Sequence, residues 1–130
     1  MGDYHGIARA FVEHFYRTFD NYEARSSLAS LYRPESKLRW EGQEFQGAQD
    51  IIAQLIKPEM KTVKTKINTT DPSPSVDNGV LVVVTGNLVI DNAFDKPFAF
   101  TSTFLLSPIP GQPGGYFIYN QTIVLMGLKM

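Results

Sequence analysis

The sequence predicts a single α+β domain, with a long N-terminal helix plus two shorter helices and a strongly curved antiparallel sheet that wraps around the long helix. Two observations predict this class. Apolar residues recur every three or four positions near the N-terminus, whereas from about residue 61 they alternate with a period of two. The 130 residues, 43% of them hydrophobic, suffice for one well-buried core and not for two. We therefore expect one domain over residues 1–130.

The first helix is predicted to be long and amphipathic, because Ile7, Phe11, Phe15 and Phe19 share one face. A shorter helix, marked by Ile51, Ile52, Leu55 and Ile56, is expected to begin at Gly47 and to end before Pro58.

Between these two, Leu28, Leu31 and Tyr32 predict a further short helix that ends near Pro34, since proline disfavours helical geometry in the residue before it. It is expected to form a hairpin with the first helix.

Four strands are predicted in the second half of the chain. The first covers residues 61–70, with Val63, Thr65, Ile67 and Thr69 on one face, and residues 71–79 are expected to form a turn or loop. The others cover residues 80–90, 98–106 and 116–126, and Gly86 inside the first of these predicts a bulge. Such a bent sheet leaves a cavity at its open end.

The segment around the only tryptophan predicts a binding site. In Trp40-Glu41-Gly42-Gln43 the ring precedes an acid and a turn-forming glycine, and polar residues flank it, which is typical of a hairpin at the mouth of a pocket. The alternative is that Trp40 is a core anchor, which is the commoner role of a tryptophan.

Composition excludes several classes of function. The formal net charge is −1, so no overall positive field attracts nucleic acid or an anionic membrane. The sequence has no cysteine, which excludes thiolate chemistry and disulfides. It shows no signal peptide and no membrane span, so we expect a soluble, unsecreted protein.

Histidine-based sites are not expected either. The two histidines are nine residues apart without a metal-binding spacing, and His14 is interpreted as a packing residue on the first helix. We expect no metal and no cofactor.

The chain resembles the nuclear transport factor 2 family, which carries the GDP form of the GTPase Ran into the nucleus. The likeness covers nearly the whole chain, and its specific parts are His14-Phe15-Tyr16, Phe19-Asp20-Asn21, Leu31-Tyr32, Trp40-Glu41-Gly42-Gln43, Phe45-Gln46-Gly47 and Gly86-Asn87-Leu88 leading to Asp91.

The resemblance implies a cone-shaped fold whose cavity accepts a Ran phenylalanine. It assigns Ran binding to Trp40, Glu41 and Asp91 at the rim, with Val63 and Ile123 as apolar residues of the site. A further family acid has no direct counterpart, because Ala93 stands two positions beyond Asp91. The next carboxylate, Asp95, follows what looks like a two-residue insertion and is assigned to the Ran-binding rim in its place.

The resemblance also implies binding to Phe-x-Phe-Gly repeats of nucleoporins, with Tyr4 and Asp20 as the matching residues. The implied location is the cytoplasm and nucleus, concentrated at the nuclear pore. Neither nucleic-acid binding nor membrane insertion is expected.

A homodimer is expected through the outer face of the sheet, both from the family and from the strands themselves. A sheet with apolar residues on both faces needs a cover on each face. The helices cover one face, and a second protomer is expected to cover the other, which carries Val82, Val84, Leu105 and Ile118 or their strand neighbours. A one-residue register error would exchange the two sets.

Two alternatives remain open at the level of sequence. The same fold resembles ketosteroid isomerases and scytalone dehydratases, but the predicted cavity offers poor acid-base candidates. The chain also resembles adaptor domains and mRNA-export cofactors; these usually lack the acid after the tryptophan, so Glu41 favours the carrier. The poor acid-base candidates favour a protein that is not an enzyme.

Overall fold

The computed structural model describes residues 4–90 and 97–127. Within these residues, three α-helices and six strands follow one another, joined in places by short 3₁₀ segments. They are α1 (Tyr4–Phe19), α2 (Tyr22–Arg25), β1 (Tyr32–Trp40), β2 (Gln43–Gln46), α3 (Ala48–Leu55), β3 (Val63–Pro74), β4 (Val80–Ile90), β5 (Phe98–Pro108) and β6 (Tyr116–Gly127).

The strands form one curled sheet in the order β2-β1-β6-β5-β4-β3. The α+β class is confirmed, but the sheet is mixed, because β1 runs parallel to β6 while the other neighbouring pairs are antiparallel. A parallel pair needs a long connection, and here almost the whole sheet lies between the two strands in sequence.

Helix α1 covers the inner face of the sheet with its apolar side, as its periodicity predicted. Phe15 is fully buried, and its ring lies edge-on to that of Phe104 in β5 with centroids 5.1 Å apart. The core on this face is built from side chains of all the major elements: Ala8, Val12, Phe15, Phe19, Leu28, Leu38, Ile51, Leu55, Val63, Val80, Val82, Val84, Phe100, Phe104, Leu106, Ile118 and Ile123.

The predicted second helix is wrong in its extent. Only Tyr22–Arg25 is α-helical, Ser26–Leu31 is 3₁₀, and the chain is extended from Tyr32 onward. Pro34 therefore lies inside a strand, at the point where the register of β1 against β6 shifts between Tyr32 and Lys37. A proline is tolerated there because the ladder is already interrupted.

The loop predicted to begin at residue 71 is also corrected. Strand β3 continues through Asp71 to Pro74 and remains paired with β4. It is an edge strand, where the missing N–H of a proline need not cost a ladder hydrogen bond.

The predicted bulge lies opposite Gly86 and not within its own strand. Ile67 pairs with Gly86 and Thr69 with Thr85, so Asn68 is the extra residue of β3, and Thr69 is exposed instead of sharing the face of Val63. A side chain at Gly86 would meet the Lys66 carbonyl at 2.3 Å, which explains the glycine at this position.

The outer face of the sheet, which was expected to form the dimer interface, carries mainly the strand neighbours of the residues that the sequence analysis named. Val82, Val84 and Ile118 are fully buried in the core, so of the two sets that the sequence left open at these three positions, the strand neighbours face outward. The apolar side chains that the sheet leaves exposed are Leu81, Tyr119, Val124 and Met126.

Among the described helices, none is long and apolar enough to cross a membrane.

Candidate functional site

The predicted hairpin around Trp40 is present. Strands β1 and β2 pair from Trp40 with Gln43, and the two residues between them, Glu41 and Gly42, both have positive φ, of 50° and 85°. Two positive φ values are typical of the tight turns that match the twist of a hairpin. Glycine adopts this geometry freely, whereas Glu41 needs support from its surroundings.

Strand β6 supplies that support. The Glu41 N–H donates a 3.1 Å hydrogen bond to the Ile123 carbonyl, and the Leu125 N–H donates to Glu41 Oε1. The turn is thus fixed to β6 through both the backbone and the side chain of Glu41, while the residue itself stays exposed. A carboxylate held in this way is available to a cationic partner without losing side-chain entropy on binding.

Trp40 is more buried than a residue at a pocket mouth would be. Only 9% of it is exposed, and it belongs to the core, next to Ile123 across the parallel β1–β6 pair. Its polar neighbours Arg39 and Glu41 are exposed. The structure therefore supports the core-anchor interpretation of Trp40, with the exposed Glu41 turn directly after it in the chain.

Two of the other residues assigned to Ran binding, Ile123 and Val63, are described by the structure and lie at the same end of the sheet as Trp40. Ile123 is buried beside Trp40, and Val63 is buried at the first position of β3, opposite Ile90 at the end of β4. Asp91 and Asp95 lie outside the described residues. The sheet thus brings Trp40, Glu41 and Ile123 into one cluster, with Val63 on the neighbouring rim.

Asp20, assigned to nucleoporin binding, is held by β3. Its Oδ2 accepts from the Thr65 N–H at 2.8 Å and its Oδ1 from the Thr65 hydroxyl at 2.7 Å. Burial raises the pKa of Asp20, and the two Thr65 hydrogen bonds and the charge of Arg25 partly offset that rise. This carboxylate joins the C-terminal end of α1 to the sheet.

Sequence reasoning missed Arg25, which is fully buried. Its guanidinium donates to three carbonyl oxygens, those of Phe19 at 2.7 Å, Leu55 at 2.9 Å and Met60 at 2.8 Å. It also lies over the Phe19 ring, 4.3 Å from the centroid. Burial lowers the pKa of Arg25, and Asp20 opposes this. An arginine in a four-residue helix gives no sequence signal of such a role.

The histidine interpretation needs a correction. His14 is exposed on the outer side of α1 and does not pack among the aromatic residues of the core. The polar side chains that are buried in the described interior include Tyr16, Tyr32, Ser102 and Gln121. Burial raises the pKa of Tyr16 and of Tyr32, so both phenols are neutral at physiological pH.

The other end of α1 borders two apolar grooves. Tyr4 lines a groove of about 270 Å³ together with Ile7, Val80 and Tyr116. Beside it, Ile7, Phe11, Leu31 and Tyr116 line a more open groove of about 580 Å³. Their shared residues, Ile7 and Tyr116, make the two grooves one continuous apolar surface.

Tyr4 and Asp20 are not brought together within one chain. They lie at opposite ends of α1, about 24 Å apart along the helix axis. A single extended peptide would need roughly seven residues to reach both.

The match to a family model decides the family. The nuclear transport factor 2 domain matches residues 7–125. The chain belongs to the nuclear transport factor 2 family. Nuclear transport factor 2 of Emericella nidulans is 38% identical over 127 residues, which cover 97% of this chain and 98% of that protein.

Solved structures agree with this assignment. Nuclear transport factor 2 of Cryptosporidium parvum superposes with a TM-score of 0.85 at 35% identity, covering 94% of each chain. A putative scytalone dehydratase of Novosphingobium aromaticivorans reaches a TM-score of 0.77 at 9% identity, covering 97% of this chain and 87% of that one, and shows a shared fold alone. Membership of the nuclear transport factor 2 family supports a role in nuclear transport for this chain.

Proposed function

We propose that this protein is a non-enzymatic nuclear import carrier that binds the GDP form of Ran and Phe-x-Phe-Gly nucleoporin repeats. The observation that carries the proposal is the Trp40-Glu41 turn, which holds an exposed carboxylate in a fixed position beside a buried indole ring in a chain of this family. The carrier would act in the cytoplasm and nucleus and concentrate at the nuclear pore.

The energetics of the proposed Ran site need both its apolar and its charged parts. Burial of one partner phenylalanine contributes about 2–3 kcal/mol, whereas micromolar affinity requires about 8 kcal/mol. A charge pair between Glu41 and a lysine or arginine of Ran supplies part of the difference, because truncating one side of a desolvated pair costs about 2–5 kcal/mol. Asp91 and Asp95 are proposed to extend the acidic rim.

Import of Ran into nuclei tests the transport function directly. In permeabilised cells supplied with labelled GDP-loaded Ran, added protein is expected to increase nuclear Ran, and Glu41→Lys is expected to abolish the increase. Nuclear accumulation that does not depend on the added protein would contradict the proposal.

The apolar surface at the N-terminal end of α1 supports the nucleoporin part of the proposal. Tyr4, Ile7 and Tyr116 can receive a phenylalanine ring of a repeat, since aromatic pairs add to the free energy of apolar burial. Asp20 lies too far away to contact the same short peptide, so it is proposed to contribute through a different stretch of the repeat.

Tyr4→Ala is expected to weaken binding of a Phe-x-Phe-Gly peptide by at least about fivefold, because truncation of a central aromatic contact costs 1 kcal/mol or more. Fluorescence anisotropy with a labelled peptide measures this loss. Arg9→Ala, an exposed change on the same helix, is the control and should leave the affinity unchanged. Equal affinity of Tyr4→Ala and the unchanged protein would remove Tyr4 from the site.

The outer sheet face supports a homodimer as the assembly of the carrier. Leu81, Tyr119, Val124 and Met126 expose between 37% and 57% of their surface on strands β4 and β6. A second copy of the same face is a self-complementary cover for these side chains.

Val124→Glu is therefore expected to give a monomer at micromolar concentration, because it places a charge in the centre of the proposed interface. Sedimentation velocity measures the change. Val76→Glu introduces the same charge at a valine that is 80% exposed and outside the strands, and is expected to remain dimeric. A dimeric Val124→Glu variant would place the interface elsewhere.

An enzymatic function has less support from the interior of the fold. Among the described residues, the buried polar side chains are phenols, serine hydroxyls, amides and one guanidinium, none of which is a base near neutral pH. The negative charge of Asp20 acts on Tyr16, but both oxygens of this carboxylate already accept hydrogen bonds from Thr65.

A further inference from the structure

The beginning of β3 is anchored to the C-terminal end of α1 at two points. Thr65 is joined to Asp20, the residue that follows α1, through its N–H at 2.8 Å and its hydroxyl at 2.7 Å. Met60, which precedes the strand, is joined through Arg25. The Arg25 guanidinium donates to the Met60 carbonyl at 2.8 Å and to the Phe19 carbonyl at 2.7 Å. Both connections therefore end at consecutive residues, Phe19 and Asp20.

Val63 lies in the chain between these two anchor points. It is the first residue of β3, is 2% exposed and belongs to the core. Because side chains alternate along a strand, Val63 and Thr65 point to the same face of the sheet. The backbone before and after Val63 is thus held to one helix end.

Strand β3 benefits from this support because it is an edge strand, paired with β4 on one side only. The Asp20 carboxylate gives the Thr65 N–H a partner that does not come from another strand. It accepts the N–H and the hydroxyl of Thr65 on different oxygens, so the two hydrogen bonds fix the orientation as well as the distance. We call this pair of hydrogen bonds the Asp20–Thr65 clip.

We propose that Asp20 is a positioning residue of the Ran site, and that the Asp20–Thr65 clip holds Val63 in the place where Ran is received. The role rests on the function proposed above, in which Val63 is an apolar residue of that site. It does not require Asp20 to touch Ran, and it is separate from the contact with nucleoporin repeats proposed for the same residue. A strand that is already ordered binds more tightly, because ordering it on binding would cost free energy.

Calorimetric titration with GDP-loaded Ran tests the proposal with two changes at Asp20. Asp20→Ala removes both acceptors and is expected to weaken Ran binding by at least about fivefold. Asp20→Asn keeps an oxygen for the Thr65 N–H and offers an N–H to the Thr65 hydroxyl, which can rotate to accept it, so its affinity should stay within about twofold. An ion pair between Asp20 and Ran would be lost in both variants, whereas the clip is lost in only one.

Thr65→Val changes the other side of the clip with little change in volume. It leaves the Thr65 N–H in place, is expected to weaken Ran binding by about threefold, and decides the test if Asp20→Ala does not fold. In the double variant with Asp20→Ala, the two losses are expected to be less than additive in free energy, since both act through one clip. Hydrogen exchange adds a measurement without Ran, because the amide of residue 65 should exchange faster in Asp20→Ala.

Ser36→Ala controls for loss of stability alone. Ser36 Oγ donates to the Ile118 carbonyl, so this change also removes a buried hydrogen bond to a strand, but far along β1 from the clip. It is expected to lower the melting temperature and to leave the affinity of the folded protein for Ran unchanged.

The outcomes separate the positioning role from the proposed function. If the unchanged, folded protein does not bind GDP-loaded Ran, both are refuted. If the unchanged protein binds Ran and Asp20→Ala or Thr65→Val binds it equally well, only the positioning role is overturned. Equal losses in Asp20→Asn and Asp20→Ala, or a loss in Ser36→Ala as large as that in Asp20→Ala, would overturn it as well.

Discussion

Arg25→Met is expected to lower the free energy of unfolding by about 3–5 kcal/mol. The guanidinium of Arg25 is fully buried and donates to the carbonyl oxygens of Phe19, Leu55 and Met60. Methionine fills a similar volume but donates no hydrogen bond, so these acceptors would lose their partner in the interior. Phe19 is the last residue of α1, Leu55 is the last residue of α3, and Met60 belongs to the segment before β3. The loss would therefore loosen three parts of the fold at once.

Urea denaturation followed by circular dichroism measures this loss. Arg17→Met is the matched control, because Arg17 is an exposed arginine in the last turn of α1, and its change is expected to stay within about 0.5 kcal/mol. A destabilisation of Arg25→Met as small as that of Arg17→Met would show that the three carbonyls find other partners and that Arg25 does not join these elements.

Glu41→Lys is expected to abolish binding of GDP-loaded Ran, with a loss of affinity of at least about thirtyfold. The change replaces an attraction to a partner cation by a repulsion at the same position. It also removes the acceptor of the Leu125 N–H, so some weakening of the turn between β1 and β2 accompanies it. Calorimetric titration gives the affinity, and a melting curve shows that the fold is retained.

Glu41→Gln separates the two effects. It keeps a side-chain oxygen for the Leu125 N–H and removes only the charge, so it should bind Ran weakly while melting close to the unchanged protein. Glu44→Gln controls for general charge effects, since Glu44 is exposed on the same hairpin and pairs with Lys37 and Arg39. Binding by Glu41→Gln as tight as that of the unchanged protein would remove the charge of Glu41 from the Ran site.

Periodic patterns predicted those parts of the fold where one face of an element is buried. Helix α1 and strands β4, β5 and β6 lie within a few residues of their expected bounds, because burial imposes a clear period of 3.6 or 2. The hairpin at Trp40 was predicted from its glycine and its alternation, and the turn has the geometry that these residues favour.

Local patterns failed where tertiary pairing overrides propensity. Leu31 and Tyr32 fit a helical spacing, but pairing with β6 makes Tyr32 the start of a strand. Pro72 and Pro74 indicated a loop, yet an edge strand accommodates both. The sequence left open whether Val82 and Val84 or their strand neighbours face inward, because a period of two gives alternation without telling which set is buried.

The site was predictable only in part, for a related reason. Trp40, Glu41 and Ile123 come together through the parallel pairing of β1 with β6, which no local motif encodes. Arg25 was missed because a buried arginine bonded to backbone carbonyls has no partner residue to seek in the sequence.

Calorimetric titration with Ran, loaded with GDP and separately with a GTP analogue, tests the central claim most directly. The carrier account predicts micromolar binding to the GDP form and no measurable binding to the other form. Absence of binding to GDP-loaded Ran by a folded protein, or equal binding to both forms, would contradict it.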